Sequence, residues 1–508
     1  MTNKLVAAFA AAVALATTTP ASAQKSADTL RIAVTTPLQT IDGYYYASRE
    51  WDAFYNSVYE PIVFWNDYKM QFTPSIAKAW KRIDDVTLEF EVRDDVKFHN
   101  GAKLTADDVA ETFNFIADPK FNFFNKAKYS WIKTVEKTGP NTVRLVAKQP
   151  AAMDLMTLSG AHIYHAASLT KLEDRSQYGR VSPIGTGQYK LTQVDKNTGA
   201  IAVFNPDWKG PKSAGKAPAK IHGLPIPDRD VQVAHLLTNS VDAIRDPSVD
   251  ELNNLITKPG VTSTAAPSYS YLIVQLDALN RSGQKELLDP RVRKAIFMGI
   301  DRQGIRDNLV AGKEMAVLPD TICQKIYRAC DYSTKPVPYD PVAAKKLLAE
   351  AGFPNGFDLK IVSLDVSKNL ATAVAGDLHK IGIRASVQPA NVVVFRKMRT
   401  DGDLAMYVGE RPVPIPDTGS LMDIFFAAES MDYWRDPVLL SALTEGATEH
   451  DNAKRTGIYK KAVDLINDKS YMLPIVTLPT VFVHSKDLAI NKNPSLTAQT
   501  DLGDFVWK

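Results

Sequence analysis

The sequence lacks the features that would indicate a membrane, nucleic-acid or metalloprotease function. No apolar run beyond the N-terminus is long enough to cross a bilayer. The 60 Lys and Arg residues nearly balance the 57 Asp and Glu residues, and the net charge of +3 favours neither nucleic acid nor an anionic membrane as a partner. Neither G-x-S-x-G nor H-E-x-x-H occurs. A hydrolase triad built from distant Ser, His and Asp residues stays open, since triads are defined by geometry.

Three near matches to cofactor or metal motifs are incomplete. Segment 210–217, GPKSAGKA, follows the phosphate-binding pattern until Ala217, which stands where a metal-ligating hydroxyl belongs. The Gly185-Thr186-Gly187 segment lacks the third glycine of a dinucleotide site. His162 and His165 are spaced for one helix face, but a zinc site needs three or four ligands and no neighbouring Asp, Glu or Cys run supplies them. We therefore expect no cofactor and no metal.

The N-terminus has the pattern of a secretory signal peptide. Lys4 supplies a positive charge, residues 5–16 form an apolar stretch too short to span a bilayer, and Ala21-Ser22-Ala23 is an A-x-A cleavage site. We expect residues 1–23 to be removed, so that the mature chain starts at Gln24. No cysteine stands at the cleavage point, which predicts a freely soluble periplasmic protein without a lipid anchor.

The two cysteines, Cys323 and Cys330, are close in sequence. In an oxidising compartment such a pair is expected to form a disulfide. Closing so short a loop stabilises by roughly 2–3 kcal/mol on the chain-entropy model. The spacing differs from C-x-x-C, which makes a metal or redox role the weaker alternative.

The mature chain of about 485 residues is too long for one core, which predicts two or three domains. Asp289-Pro290 and Asp340-Pro341 each place a cap residue before a proline, which predicts two helix starts. Strands and helices then alternate at 359–363, 370–380, 383–388, 392–399 and 404–408. Such alternation predicts an α/β fold with right-handed crossovers and a mostly parallel sheet.

Two loops follow strand ends, where open α/β sheets bind their ligands. The strand 30–34 precedes a loop with three successive tyrosines, which cannot all face a core, and the strand 404–408 precedes the charged loop GERPVPIPD. Arginine suits a carboxylate through its bidentate fork, whereas acids suit ammonium groups or hydroxyls. Tyr269 and Tyr407 lie outside these two loops and are aromatic candidates as well. The candidate ligand-binding residues are therefore Tyr44, Tyr45, Tyr46, Trp51, Tyr269, Tyr407, Glu410, Arg411 and Asp417. Further aromatic candidates are Tyr271, Tyr433 and Trp434.

The sequence pattern of residues 58–116 indicates a compact subdomain. Residues 88–93 alternate apolar and charged, as in a half-buried strand. Asn100-Gly101 indicates a turn, and Thr105 with Asp108 forms a capping box that starts a helix running towards Ile116.

This block closely resembles one family, the family 5 extracellular solute-binding proteins, which serve peptide and nickel ABC importers. The resemblance continues through four further segments in the same order along the chain. They are PIGTGQYKL at 183–191, NPDW at 205–208, LDPRVRKAIFMGIDR at 288–302 and YDPVAAKKLLAEAGFPNGF at 339–357.

The resemblance implies a two-lobed periplasmic binding protein of type II, a flytrap, with an extra α+β subdomain on lobe one. By analogy, lobe one comprises 24–57, 187–270 and 479–508, where the C-terminus returns to it. The extra subdomain is 58–186, and lobe two is 271–478. In relatives that bind peptides, the loop after the lobe-two strand begins Gly-Trp and carries an aspartate for the peptide's α-amino group. Here Glu410 takes the tryptophan position and Asp417 is the nearby aspartate.

The resemblance implies capture without catalysis. The expected ligand is a peptide, opine, oligosaccharide or chelate, and the expected partner is an inner-membrane ABC permease with its ATPase. We expect a monomer. A periplasmic chaperone or chemoreceptor ligand-presenter on the same fold, and a secreted hydrolase, are the alternatives.

Overall fold

The structure is a computed structural model that describes residues 28–46, 48–67, 69–124, 126–210, 215–413, 415–427, 432–491 and 501–508. The predicted signal peptide, the predicted mature start at Gln24 and the middle of the GPKSAGKA segment lie outside these residues.

Strands occur from the first described residues to the last. They are β1 Thr29–Val34, β2 Val63–Asn66, β3 Gln71–Pro74, β4 Ala77–Asp84, β5 Thr87–Val92, β6 Ile132–Gly139, β7 Thr142–Ala147, β8 Tyr189–Asp195, β9 Gly199–Phe204, β10 Lys220–Pro225, β11 Ala243–Arg245, β12 Val261–Ala266, β13 Tyr271–Leu276, β14 Asp358–Leu364, β15 Arg384–Ala390, β16 Met406–Arg411, β17 Met472–Thr477, β18 Thr480–Ser485, β19 Leu488–Ile490 and β20 Phe505–Trp507.

The α-helices are short and most lie in the second half of the chain. They are α1 Asp52–Val58, α2 Ala106–Ala117, α3 Asp154–Leu158, α4 Ala166–Leu169, α5 Tyr178–Val181, α6 Arg229–Leu237, α7 Val249–Leu255, α8 Pro290–Gly299, α9 Arg302–Leu309, α10 Pro341–Glu350, α11 Lys368–Lys380, α12 Val392–Asp401, α13 Thr418–Phe426, α14 Pro437–Thr448 and α15 Asn452–Asp468. None of these described helices has the length and apolar character that a membrane crossing requires.

A seven-stranded sheet forms the centre of the first lobe, in the order β12-β18-β11-β1-β10-β9-β8. β1 runs parallel to β10 and β11, whereas β18 runs antiparallel to β11 and β12. The chain therefore comes back from near its C-terminus to place a strand inside this sheet.

The second lobe contains a five-stranded sheet in the order β15-β14-β16-β13-β17. β14 pairs in parallel with β15 and β16, as the alternation of strands and helices predicted. β13 pairs antiparallel with β16 and β17, so the sheet is mixed and the prediction of a mostly parallel sheet is wrong for this half. The predicted strand 404–408 also shifts to Met406–Arg411, because pairing with β13 continues past the apolar residues.

The extra subdomain has a four-stranded antiparallel sheet, β4-β5-β7-β6, beside the hairpin β2–β3. The predicted alternating strand is β5, in which Leu88, Phe90 and Val92 are buried. The predicted capping box is present at the start of α2, where the Thr105 backbone N–H donates to Asp108 Oδ2 at 2.9 Å.

Residues that alternate along β13 belong to two different hydrophobic cores. Leu272 and Val274 lie in one core, whereas Tyr271 and Ile273 lie in the other, because successive side chains point to opposite faces of a sheet. Helices therefore cover both faces of the lobe-two sheet, the arrangement of a layered α/β fold.

A disulfide joins Cys323 to Cys330 in the segment between α9 and α10. Their Cα atoms are 5.8 Å apart, within the range that a disulfide requires. The bond lies beside the second of the two lobe-two cores, which includes Cys323.

Candidate functional site

The two lobes meet where the chain crosses between them. Ser268 Oγ donates to the Leu478 carbonyl at 2.6 Å, and the Leu478 N–H donates to the Ser270 carbonyl at 2.8 Å. The first residue of β13, Tyr271, lies opposite Arg411, the last residue of β16. The carboxyl end of β16 is therefore at the boundary between the lobes.

An ion pair crosses this boundary. Arg49, in the segment that follows β1, donates from Nη1 to Glu410 Oε1 at 2.7 Å. Arg245 Nη1 holds the backbone of Arg49 by donating to its carbonyl oxygen at 2.6 Å. The side chains of Arg49 and Glu410 keep 36% and 24% of their exposure, so water screens the pair and its stabilisation is at most about 1 kcal/mol. The structure thus brings the two strand-end segments together.

Arg411 ends β16 and does not lie in the following loop, which corrects the sequence-based placement. Its guanidinium lies 5.7 Å from the ring centre of Tyr407 and 5.4 Å from that of Phe425. Its Nε atom is buried and has no hydrogen-bond partner. This side chain is consequently held in place by aromatic rings while part of its donor capacity is unused.

Tyr44, for which the sequence predicted a ligand contact, is placed in the core of the extra subdomain. Its hydroxyl donates to the His162 carbonyl at 2.9 Å, and its ring lies 5.3 Å from that of Tyr164 and 5.8 Å from that of Tyr129. The loop bends into the subdomain because the subdomain supplies an aromatic pocket, which the local sequence does not reveal.

The next two tyrosines are only partly buried. Tyr45 packs 6.0 Å from Phe123, and burial raises the pKa of Tyr45 to about 12. Tyr46 donates from its hydroxyl to the Pro37 carbonyl at 3.0 Å. Of the three successive tyrosines, these two keep surface that a ligand can reach.

Trp51 is also a core residue. It is buried, its Nε1 donates to the Thr36 carbonyl at 2.8 Å, and its ring lies 5.3 Å from that of Phe54. The sequence predicted a ligand contact for Trp51, whereas in the structure its apolar surface is buried and its only donor is bonded.

Tyr269 connects the lobe crossing to the extra subdomain. Its buried hydroxyl donates to Asp67 Oδ1, at the end of the hairpin β2–β3, and its carbonyl accepts from the Tyr327 hydroxyl at 3.1 Å. Burial and the charge of Asp67 raise the pKa of Tyr269. These contacts hold both the side chain and the backbone of Tyr269 at the lobe crossing.

Tyr407 packs with its ring against the guanidinium of Arg411. It is buried, its hydroxyl donates to the Glu410 carbonyl at 3.3 Å, and its ring lies 4.7 Å from that of Phe395. Tyr407 is therefore placed to position the end of β16, whereas the sequence predicted that it contacts a ligand.

Asp417 is fully buried and already paired. It accepts from Arg455 Nη1 at 2.7 Å and from Arg455 Nη2 at 2.6 Å, and it caps α13 by accepting from the Gly419 N–H at 2.8 Å. The sequence predicted a ligand contact for Asp417, whereas the structure places both its oxygens against Arg455, which lies 38 positions later in the chain.

The further aromatic candidates are occupied as well. The Tyr271 hydroxyl donates to the Ile322 carbonyl at 3.1 Å, and the Tyr433 hydroxyl donates to the Arg399 carbonyl at 2.9 Å. Trp434 Nε1 donates to a backbone carbonyl at 3.0 Å. All three complete the core of lobe two.

The glycines of the PIGTGQYKL segment serve backbone packing. A Cβ atom on Gly185 would lie 1.9 Å from the Val58 carbonyl oxygen, and one on Gly187 would lie 2.3 Å from that of Ser57. His99 braces the same turn, since its ring nitrogens lie 3.3 Å from the Gly185 nitrogen and 3.0 Å from the Gly187 carbonyl oxygen. The backbone of residues 185–187 therefore passes very close to the backbone of Ser57 and Val58.

His162 and His165 have separate surroundings. His162 is buried with its ring 4.5 Å from that of Tyr55, and burial lowers its pKa to about 3. His165 lies 4.8 Å from the Phe98 ring. Nowhere in the described ranges do three His, Cys, Asp or Glu residues gather in a metal-binding group.

Sequence reasoning missed Arg49 and Arg399. Arg49 lies three positions after Tyr46 in the same strand-end segment, where a lone cation was a usable signal beside the tyrosines. Arg399 lies 5.7 Å from the Phe395 ring on α12, and no local pattern links it to Arg411. The two arginines of α12 and β16 lie on the neighbouring rings of Phe395 and Tyr407, whose centres are 4.7 Å apart.

Comparison with known proteins identifies the chain's relatives. The model for bacterial extracellular solute-binding proteins, family 5 Middle, matches residues 71–433. The glutathione-binding protein GsiB of Shigella boydii serotype 4 is 26% identical over 505 residues, which cover 94% of each chain.

Two solved structures share the fold. The ABC transporter substrate-binding protein CtaP of Listeria monocytogenes superposes with a TM-score of 0.82 at 20% identity, covering 94% of this chain and 99% of the other. NikA of Brucella suis, in complex with Fe(III)-EDTA, gives a TM-score of 0.82 at 20% identity, covering 94% and 100%. The predicted two-lobed α/β fold is thereby confirmed.

Proposed function

The chain belongs to the bacterial extracellular solute-binding proteins of family 5, and we propose that it captures a small polar organic solute in the periplasm and delivers it to an inner-membrane ABC permease with its ATPase. In this role the protein acts as a monomer, closes its lobes on the solute and makes or breaks no covalent bond. The domain boundaries at residues 57, 186, 270 and 478 form part of the same proposal.

One observation carries the proposal: Arg49 and Glu410 meet across the lobe boundary. Arg49 lies in the segment that follows β1, and Glu410 is the next-to-last residue of β16. The carboxyl ends of strands are where α/β sheets bind ligands. Binding proteins of two lobes close by a hinge motion about the crossing segments. A solute that enters between these segments is therefore enclosed when the lobes approach.

We propose Arg411, Glu410 and Arg49 as the polar ligand contacts, with Tyr45 and Tyr46 at the edge of the cleft. Arg411 has an unused buried donor and a position fixed by two rings. A hydrogen bond between charged partners contributes roughly 1.5–3 kcal/mol. Arg411→Ala should accordingly weaken solute binding by about one to two orders of magnitude.

Reduced glutathione is the first solute to test, because the glutathione-binding relatives cover 94% of this chain. Peptides, opines, oligosaccharides and metal chelates complete the screen, which uses the rise in melting temperature that binding to the folded state produces. Small-angle scattering should then show a smaller radius of gyration in the presence of the solute.

Arg49→Gln tests the cross-lobe contact. The variant should close less completely, so that the solute reduces its radius of gyration by a smaller amount than in the wild type. Arg384→Gln is the matched control, since its pair with Asp358 is exposed and lies within one lobe. A tightly bound solute that leaves the wild-type radius unchanged would contradict the proposal.

A further inference from the structure

Two arginines of lobe two flank one pair of neighbouring aromatic rings. Phe395 of α12 and Tyr407 of β16 have ring centres 4.7 Å apart at an angle of 34°. The guanidinium of Arg399 lies 5.7 Å from the Phe395 ring, and that of Arg411 lies 5.7 Å from the Tyr407 ring. Each of the two neighbouring rings therefore contacts one positively charged guanidinium.

Neither guanidinium has a carboxylate partner among the described residues. The Nε atoms of both Arg399 and Arg411 are buried and donate to no acceptor there. The acid next in sequence, Glu410, is already paired with Arg49. Burial lowers the pKa of Arg399, and the positive charge of Arg411 lowers it further. Each cation thus raises the energy of the other.

Such an arrangement is unfavourable in the absence of an anion. Like charges repel more strongly in a partly buried site than in water, because the effective dielectric constant is lower. A buried N–H without an acceptor also loses the hydrogen bond that water would have provided. An oxyanion between the two guanidiniums would remove both penalties at once.

We propose that Arg399 and Arg411 together bind one oxyanion of the solute, a carboxylate or a phosphate group. The planar fork of arginine matches both groups through paired N–H donors. Tyr271, the first residue after the lobe crossing, lies opposite Arg411, so the anion site opens at the lobe boundary. This inference rests on the proposed function and names its solute class: an organic anion, in preference to a neutral sugar.

The test is calorimetric titration of the mature chain with acetate, succinate and inorganic phosphate at constant ionic strength. At least one of the three should bind to the wild type. Arg399→Gln and Arg411→Gln should each weaken that binding by about tenfold to a hundredfold. Lys397→Gln is the matched control, because Lys397 is an exposed cation of the same helix that pairs with Asp401, and it should bind as the wild type does.

The anion that binds identifies the group: acetate or succinate indicates a carboxylate, and phosphate alone indicates a phosphoryl group. Arg399→Gln should also melt no lower than the wild type in anion-free buffer, because it removes a repulsion. No binding of any of the three anions to the wild type, or equal binding by all variants, would overturn the proposal. Failure of the proposed function is a separate outcome: anions bind, but no solute closes the lobes in scattering.

Discussion

Asp417→Ala separates a structural role of this carboxylate from a ligand-binding role. Asp417 and Arg455 keep 0% and 1% of their side-chain exposure, and two hydrogen bonds of 2.7 and 2.6 Å join them. Removing one partner of a buried ion pair leaves the other charge unpaired, which costs about 3–5 kcal/mol. The lost cap of α13 adds about 0.5–2 kcal/mol.

The expected result is a large fall in the stability of lobe two. The two losses together are about 3.5–7 kcal/mol. For a domain of about 200 residues, each kcal/mol changes the melting temperature by about 2–4 °C, so the variant should melt about 7–28 °C lower. Hydrogen exchange of peptides from residues 417–426 and 452–468 should rise in parallel, because these segments contain Asp417 and Arg455. Scanning calorimetry and mass spectrometry provide the two measurements.

Two further variants refine this test. Asp401→Ala removes an exposed pair with Lys397 and should change stability by about 0.5 kcal/mol or less. Asp417→Leu combined with Arg455→Met should recover most of the loss, since apolar replacements of buried ion pairs are often neutral or stabilising. If Asp417→Ala melts as the wild type does while solute affinity falls, the buried-pair reasoning is wrong and Asp417 is a ligand residue.

Three other perturbations have defined outcomes. Replacing both Cys323 and Cys330 by Ser should destabilise lobe two by roughly 2–3 kcal/mol in urea unfolding, and an unchanged midpoint would contradict this. Burial raises the pKa of Asp42 from 3.8 to about 6, so its contribution to stability is present below about pH 4 and is lost as the pH rises through 6. Asp42→Asn should therefore gain up to about 3 kcal/mol relative to the wild type between pH 4 and pH 7, and a constant difference would refute the shift. Gly185→Ala should destabilise by about 1–3 kcal/mol, because its Cβ would lie 1.9 Å from a carbonyl oxygen. Gly376→Ala is the control and should not destabilise, because a Cβ atom there meets open space. Equal melting temperatures of the two variants would refute the close approach at Gly185.

Features set by neighbouring residues were predictable from the sequence. The capping box of Thr105 and Asp108 is present, and the Asp289-Pro290 and Asp340-Pro341 pairs both start helices. These devices depend on hydrogen bonds that span three positions or fewer, so tertiary contacts need not intervene. The family resemblance supplied the two-lobed architecture, which no local pattern contains.

Features set by distant partners were not predictable. Asp417 looked like a free loop acid until Arg455, far along the chain, was seen to enclose it. Tyr44 looked like a loop aromatic, but rings from the subdomain surround it. The pairing of Arg399 with Arg411 likewise depends on how α12 packs against β16 through Phe395. Burial of a loop side chain is a property of the assembled fold.

The place of β18 in the first sheet has a consequence for the order of folding. Its residue His484 pairs with Ala243 of β11 and with Thr262 of β12, so nearly the last part of the chain fills the space between two strands made much earlier. Until β18 arrives, β11 and β12 present unpaired backbone edges, which are templates for association with other chains. The strands of lobe two lie between Tyr271 and Thr477 and can pair first. A chain that is made N-terminus first therefore exposes these two strand edges until residues 480–485 have been added, and truncation before Thr480 should leave the first sheet open and prone to aggregate.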